Sequence, residues 1–279
     1  MTCDLHVHST YSDGSQTPEE ITEEAIEKKL SAIAIADHDT FDGVRPAIEA
    51  ARGSDLRVIP AVEISTEFQK IDVHILGYWI ELDNERLQEK LAYVREARIL
   101  RAREIVGKLR ALGIDVTIED VMEQSDGVTL GRPHVAGALL AKSYVSGIQE
   151  AFDRYLGRDR PAFVPRYKLS PTEAVEAVLV ARGCPVLAHP GLGVPDYVID
   201  GLIEDGIAGV EAYHNHHSPS SIRRLRRIAE QHGLLVTGGT DSHGPRGSHP
   251  VAVGDVDVPD ECAEALVAWA EAHGAQMPA

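Results

Sequence analysis

The stretch Cys3-Asp-Leu-His-Val-His-Ser-Thr-Tyr-Ser-Asp-Gly-Ser15 crowds two histidines and two aspartates into the start of a 279-residue chain. If it opens as a strand, side chains alternate faces, so Asp4, His6 and His8 share one side while Cys3, Leu5 and Val7 share the other. Two residues of strand span about 6.6–6.8 Å, so two imidazoles can lean onto a single ion lying about 2 Å from each nitrogen. Asp13, in the following loop, can fold back over the same end. Taken alone, His-Val-His fits surface or core-facing histidines equally well. Recurrence decides the matter. Asp37-His38-Asp39 follows a second apolar run, Glu63 ends a third, His74 lies in a fourth, His189 follows a fifth, and Asp241-Ser242-His243 follows a seventh. Several buried carboxylates without counter-charge would be costly, and divalent cations supply that counter-charge.

These donors need elements to position them. Short apolar runs alternate with amphipathic stretches, the pattern of a parallel α/β sheet or barrel. The candidate strands are Asp4–Val7, Ala32–Ala36, Arg57–Glu63, Asp72–Tyr78, Pro185–Ala188, Gly209–Ala212 and Leu235–Gly238. Most of the metal-loving residues fall at or near the ends of these runs, and the C-terminal ends of parallel strands are where such folds build active sites. Thr17-Pro18-Glu19-Glu20 and Ser170-Pro171-Thr172-Glu173 each spell a capped helix start, and Ser218-Pro219 opens another. Gly113 and Gly233 sit where helices should end. Between Asn84 and about Pro165 the βα rhythm stops, and Leu87, Leu91, Val94, Ile105, Leu109 and Leu112 are spaced as on helices. The expected organisation is an α/β core, residues 1–83 with 166–279, and a helical insertion, residues 84–165, capping one end and contributing substrate-binding residues. Arg95, Arg98, Arg101 and Arg103 in the insertion read as a solvated face paired with Glu. There is no internal repeat and no low-complexity tract.

Composition narrows the function. With a net charge of −17, the chain lacks the clustered cations needed to coat long nucleic acids. A small phosphate-bearing substrate is still compatible, because bound cations invert the local field. Cys3, Cys184 and Cys262 show no Cys-x-x-Cys spacing, which suggests neither a disulfide framework nor a thiolate zinc site. No apolar run reaches membrane-spanning length and no signal-like segment opens the chain, so a cytoplasmic enzyme without membrane association is expected. No obligate protein partner is indicated.

The ordered set His6-Val7-His8, Asp13, Asp37-His38-Asp39, Glu63, His74, His189 and Asp241-Ser242-His243 resembles the polymerase and histidinol phosphatase (PHP) family. The resemblance runs from residue 6 to residue 243. It implies a distorted (β/α)7 barrel, TIM-barrel-like, holding two to three divalent metals, with manganese ahead of zinc or iron. Carried over residue by residue, it implies a first metal on His6, His8 and Asp241 with a bridging Glu63. A second metal would lie on Asp13, His38 and His243, and a third on His74 and His189, sharing Glu63. Asp4 would then orient an imidazole from behind.

Such a centre suits phosphate-ester hydrolysis by a metal-held hydroxide. No Gly-x-Ser-x-Gly and no phosphate-cradling Gly-rich loop with Lys appears. His217 or His214 is placed to protonate the leaving group, and a structural or positioning role for either is an equal alternative. Arg132 and His134 of Gly131-Arg132-Pro133-His134 stand at an expected helix start, where they would either clamp a second phosphate or simply cap. Arg166 and Lys168 offer two further cations. The resemblance is strongest to the stand-alone branch of nucleotide phosphatases and 5′-to-3′ oligoribonucleotide-trimming enzymes. It implies removal of the 3′-phosphate of a 3′,5′-bisphosphonucleotide. The alternatives are trimming of short 5′-phosphorylated oligoribonucleotides, hydrolysis of histidinol phosphate, or a metal-binding regulatory or polymerase-associated module.

Overall fold

The computed structural model describes residues 2–124, 130–165, 168–247 and 250–275. It divides into two compact units, Met1–Leu91 with Lys168–Ala279, and Ala92–Tyr167. The first carries β1 (Asp4–Val7), α1 (Pro18–Glu27), β2 (Ala32–Ile35), α2 (Val44–Ala50), β3 (Arg57–Val58), β4 (Ala61–Phe68) and β5 (Ile71–Tyr78). The chain then enters α3 (Glu85–Ala111), α4 (Ile118–Met122), α5 (Arg132–Ala141) and α6 (Ile148–Ala151). It returns as α7 (Pro171–Val180), β6 (Cys184–Leu187), α8 (Asp196–Glu204), β7 (Gly209–His214), α9 (Pro219–His232), β8 (Leu235–Gly239) and α10 (Asp260–His273).

The helix starts follow from local chemistry. Thr17 and Ser170 each accept from the backbone of the third helical residue, while Glu20 and Glu173 reach back to the cap, with Pro at the first position. Ser218 caps α9, and Gly233 closes it with φ +66. In β2 the Ala-Ile alternation sorts two layers. Ala32 and Ala34 join Leu5, Ile59, Leu76 and Tyr78, whereas Ile33 and Ile35 pack with Ile21, Ala25 and Ala47 beneath the helices. The Tyr78 hydroxyl, sealed in the first layer, donates to Leu5 O at 2.9 Å. The second unit is helical among its described residues, around Ile105, Leu109, Val121, Val135 and Leu139. Arg98 is buried there, and Arg101 donates to Val164 O at 2.9 Å. Arg98 and Arg101 therefore depart from the solvated stripe expected, while Arg103 is exposed. No helix among the described residues is long and apolar enough to cross a membrane.

The sheet departs from the expected parallel series in three ways. The run Arg57–Glu63 splits at Pro60, which has no N–H to donate into a ladder. β3 therefore ends a three-stranded sheet ordered β1-β2-β3, and β4 opens a five-stranded sheet ordered β4-β5-β6-β7-β8. Next, β5 runs antiparallel to both β4 and β6. The tight turn between Phe68 and Ile71 places Gln69 and Lys70 at φ +47 and +74, a primed hairpin conformation usually signalled by Asn-Gly. His74 thus lies in the first half of an antiparallel strand, opposite Ser65, rather than near the end of a parallel one. Finally, among the described residues no ladder joins the two sheets into one closed barrel. Single bridges, Val7–Ser242 and His38–Glu63, link the ends of the two sheets instead.

Asp4 fastens one of these seams. Fully buried, it accepts from Thr240 N (2.9 Å), Thr240 Oγ1 (2.7 Å) and Gly254 N (2.8 Å). It therefore holds backbone and a hydroxyl, not the imidazole expected of it. Asp4→Ala strands these buried donors, and at about 1–3 kcal/mol for each unsatisfied group the variant is expected to unfold at clearly lower urea concentration. An unchanged midpoint would contradict this role.

Candidate metal centre

The centre is assembled from strand ends and the loops that leave them. After His8 the chain doubles back, and Gly14 approaches so closely that a Cβ there would lie 2.3 Å from His8 O. The turn is pinned by Asp37, which accepts from Ser9 N (2.7 Å), Ser9 Oγ (2.6 Å) and Ser12 Oγ (2.6 Å). This returns Asp13 over His8. At β8, Gly239 lets β1 pass, since a Cβ would meet His6 Cβ at 2.4 Å. Asp241 N then donates to His6 O at 2.8 Å. His189 and Asp241, at the exits of β6 and β8, have φ of +29 and +53. Such backbone costs about 1–3 kcal/mol per residue and is held only by surrounding structure.

Glu63 sits at the middle, 1% exposed. Its Oε1 faces His74 Nδ1 at 2.8 Å and His189 Nε2 at 3.0 Å. Its Oε2 lies 2.9 Å from His38 Nδ1, 3.3 Å from His8 Nε2 and 3.5 Å from His6 Nε2. Despite these neighbours, Oε2 is sealed from water without a hydrogen bond of acceptable geometry among the described residues. His6 Nε2 and His8 Nε2 face each other at 3.2 Å, and Asp241 Oδ1 is 3.1 Å from His8 Nε2. On the far side, Asp13 approaches His243 Nε2 (3.4 Å), His8 Nδ1 (3.6 Å) and His38 Nε2 (3.8 Å).

Among the described residues, three groups of donor atoms converge closely enough to chelate divalent cations: His6, His8, Glu63 and Asp241; His8, Asp13, His38 and His243; and His38, Glu63 and His74. Opposed imidazole nitrogens and an orphaned carboxylate oxygen are what a shared cation reconciles. The nine residues read from sequence as metal-directed are thus all brought together. Their grouping differs in detail, with His8 and His38 each serving two groups, while His189 meets the cluster through Glu63.

The remaining candidates fare differently. His217 has both ring nitrogens engaged by backbone, Nδ1 with Ala212 O (2.9 Å) and Nε2 accepting from Gly191 N (3.0 Å). Burial also lowers its pKa, so it ties a loop to β7 and has no proton to offer a substrate. His214 accepts at Nδ1 from His216 N (3.1 Å), which leaves its proton on Nε2, 3.4 Å from Asp241 Oδ2. Lys168 is ion-paired with Asp72 and lies 3.8 Å from Glu67. Arg132 begins α5, lies over the Phe152 and Phe163 rings at 5.5 and 5.9 Å, and donates to Leu156 O. His134 Nδ1 accepts from Gly131 N at 3.0 Å. Arg166 lies outside the described residues.

One residue escaped the sequence reading. Glu211, fully buried in β7, faces His6 Nδ1 at 3.0 Å and accepts from His189 N at 2.7 Å. The available signal was a lone carboxylate in the strand Gly-Val-Glu-Ala-Tyr-His.

Burial opposes charge throughout the centre; it prevails at His74, whose pKa is lowered, and is outweighed by neighbours at His8, His6, Glu63 and Asp241. It disfavours the His8 imidazolium, yet Asp241 and Glu63 push that group up to about 10. It also opposes charge on His6, which Glu211, Glu63 and Asp241 nevertheless hold well above the ordinary histidine range. Burial would raise Glu63, but His38, His74 and His6 keep it well below the usual carboxylate range. For Asp241 the same contest is won by His6, His214 and His8. In the metal-free protein, the raised His8 contributes stability that is complete below its ordinary 6.5 and lost as pH rises through about 10. The depressed carboxylates contribute stability present above their ordinary 4.5 and 3.8 and lost on acidification. Cation uptake near neutral pH must therefore expel protons. Calorimetric titration in two buffers of different ionisation enthalpy is expected to give different apparent heats, and equal heats would contradict this charge balance.

The PHP domain model matches residues 4–155. The chain is 32% identical over 249 residues to the 5′-3′ exoribonuclease Rnm of Escherichia coli, covering 87% of this chain and 85% of that one. It is likewise 32% identical over 248 residues to the 3′,5′-nucleoside bisphosphate phosphatase of Chromobacterium violaceum, covering 87% of each. Among solved structures it is similar to one from Bifidobacterium adolescentis, proposed to be a metal-dependent phosphoesterase, with a TM-score of 0.82, 32% identity and 96% of both chains covered. With its donors gathered around Glu63 and these relatives matching nearly end to end, the chain belongs to the PHP domain family.

Proposed function

We propose that this protein is a metal-dependent phosphoesterase that removes the 3′-phosphate of a 3′,5′-bisphosphonucleotide, leaving a 5′-mononucleotide. The observation carrying this reading is the convergence of imidazoles and carboxylates on the buried Glu63, a donor set that fits divalent cations and has no other evident use. The Chromobacterium violaceum relative supports the nucleotide substrate. We assign His6, His8, Asp241 and Glu63 to one ion, Asp13, His38 and His243 to a second, and His74 and His189 with Glu63 to a third. Manganese, zinc and iron all suit such ligands. We also take the two sheets as halves of one distorted (β/α)7 barrel, a reading supported by the single bridges at both seams.

When bound, divalent ions supply charge for phosphoryl oxygens and acidify water. This chain's residues supply the rest. Glu63 lies where it can be shared between ions, and Asp13 and Asp241 flank it on opposite sides. His214, with its proton on the Nε2 that faces Asp241, is the group we assign to protonate the leaving oxygen. Arg132, His134, Arg166 and Lys168 are assigned to a second phosphate on sequence grounds alone.

A second reading, trimming of short 5′-phosphorylated oligoribonucleotides, is favoured by the Escherichia coli relative. Comparing a bisphosphonucleotide with a 5′-phosphorylated dinucleotide separates the two, since faster phosphate release from the first supports the primary reading and faster cleavage of the second replaces it. Chelation is expected to abolish activity. Because changes behind a ligand already cost about 10–100-fold, Glu63→Gln is expected to lower kcat/KM by at least about 100-fold. Turnover by the chelated wild type would refute the metal reading.

A further inference from the structure

Glu211 divides its carboxylate between two elements. Oε1 lies 3.0 Å from His6 Nδ1 on β1, and Oε2 accepts the His189 N–H at 2.7 Å in the loop leaving β6. An ionised carboxylate only accepts, so the first contact places a proton on His6 Nδ1. That leaves His6 Nε2 turned toward Glu63 Oε2 and Asp241 Oδ1, at 3.5 and 3.6 Å. The second contact holds the backbone of His189 at φ +29, a conformation a histidine does not adopt unaided.

A local irregularity follows Glu211 in its strand. Glu211 pairs with Thr237 but Tyr213 pairs with Gly238, so β7 carries one extra residue at this point. Strict alternation would send Glu211 and His214 to opposite faces, three residues apart. The extra residue brings both to the side of the centre. A stability role alone does not account for the residue type. Either N–H could be met by a carbonyl or an amide, at far lower cost than a fully buried carboxylate. A negative charge behind an imidazole does something a neutral acceptor does not, because it makes the opposite ring nitrogen a better electron donor.

We infer that Glu211 is a positioning residue that holds His6 and His189, ligands from different strands, in metal-binding orientation through one shared carboxylate. It acts behind these histidines and touches no substrate. The inference rests on the metal reading of the site.

The test uses the full chain with Glu211→Gln, which keeps the shape but offers one accepting oxygen to two donors, and Glu211→Ala, which offers none. Zinc affinity is measured against a chelating indicator, and the zinc-loaded proteins are examined by NMR for the His6 Nδ1–H proton. The wild type is expected to show that proton at a hydrogen-bonded, downfield position. Glu211→Gln is expected to bind zinc about 10–100-fold more weakly and to lose or shift the resonance, while its metal-free melting temperature gauges any purely structural effect. Glu211→Ala is expected to show the larger loss of affinity. If either variant folds and binds zinc as the wild type does, with the His6 proton unmoved, the positioning role is overturned and the metal reading stands. If the wild type itself takes up no zinc, both are overturned.

Discussion

Everything in the first unit answers to one constraint, the burial of the Glu63 carboxylate among imidazoles from four separate stretches of chain. His6 reaches it from β1 and His8 from just beyond that strand's end, His38 from the loop after β2, His74 from β5 and His189 from beyond β6. A carboxylate 1% exposed and surrounded this way is tolerable only with compensating positive charge, from protons in the metal-free chain and from cations in the state we propose is active. The break at Pro60 matters here, because it ends β3 and lets β4 start a new sheet with Glu63 close to its beginning. The hairpin at Gln69–Lys70 then returns β5 alongside, which sets His74 beside the same carboxylate.

The surroundings carry the cost of that arrangement. His189 and Asp241 occupy backbone regions that residues with side chains avoid, and Gly14 and Gly239 sit where any side chain would collide with β1 or the turn after it. Asp4 and Asp37 are both buried, and burial raises both of their pKa values. Each is met by hydroxyls and backbone amides. These two carboxylates act as staples for the loops that bear Asp13 and Asp241. A fold under stability pressure alone would have little use for so many buried charges and strained turns. Sites that must hold ions or substrates accept such local penalties.

Much of this was legible in the sequence because side-chain type carries the information directly. Histidine and carboxylate at successive strand ends announce a shared destination, and Ser or Thr followed by Pro and Glu announces a helix start. What escaped depended on backbone detail. The reversal of β5 hinged on a turn built from Gln and Lys, residues that give no warning of positive φ. Glu211 was hidden because the extra residue in β7 breaks the alternation by which a face is assigned. His217 looked like a spare proton donor until Ala212 O and Gly191 N were seen to occupy both its nitrogens. Arg98 was read as solvated because a helix seen alone does not say which of its polar stripes a neighbour will cover.

Whether the donors around Glu63 hold divalent cations is decided by anomalous diffraction from crystals of this protein soaked in manganese. Anomalous peaks are expected within coordination distance of Glu63, flanked by His6, His8 and Asp241 on one side and by Asp13, His38 and His243 on the other. Crystals that diffract well yet show no anomalous density near Glu63, with the imidazoles still hydrogen-bonded to its carboxylate, would contradict cation binding there.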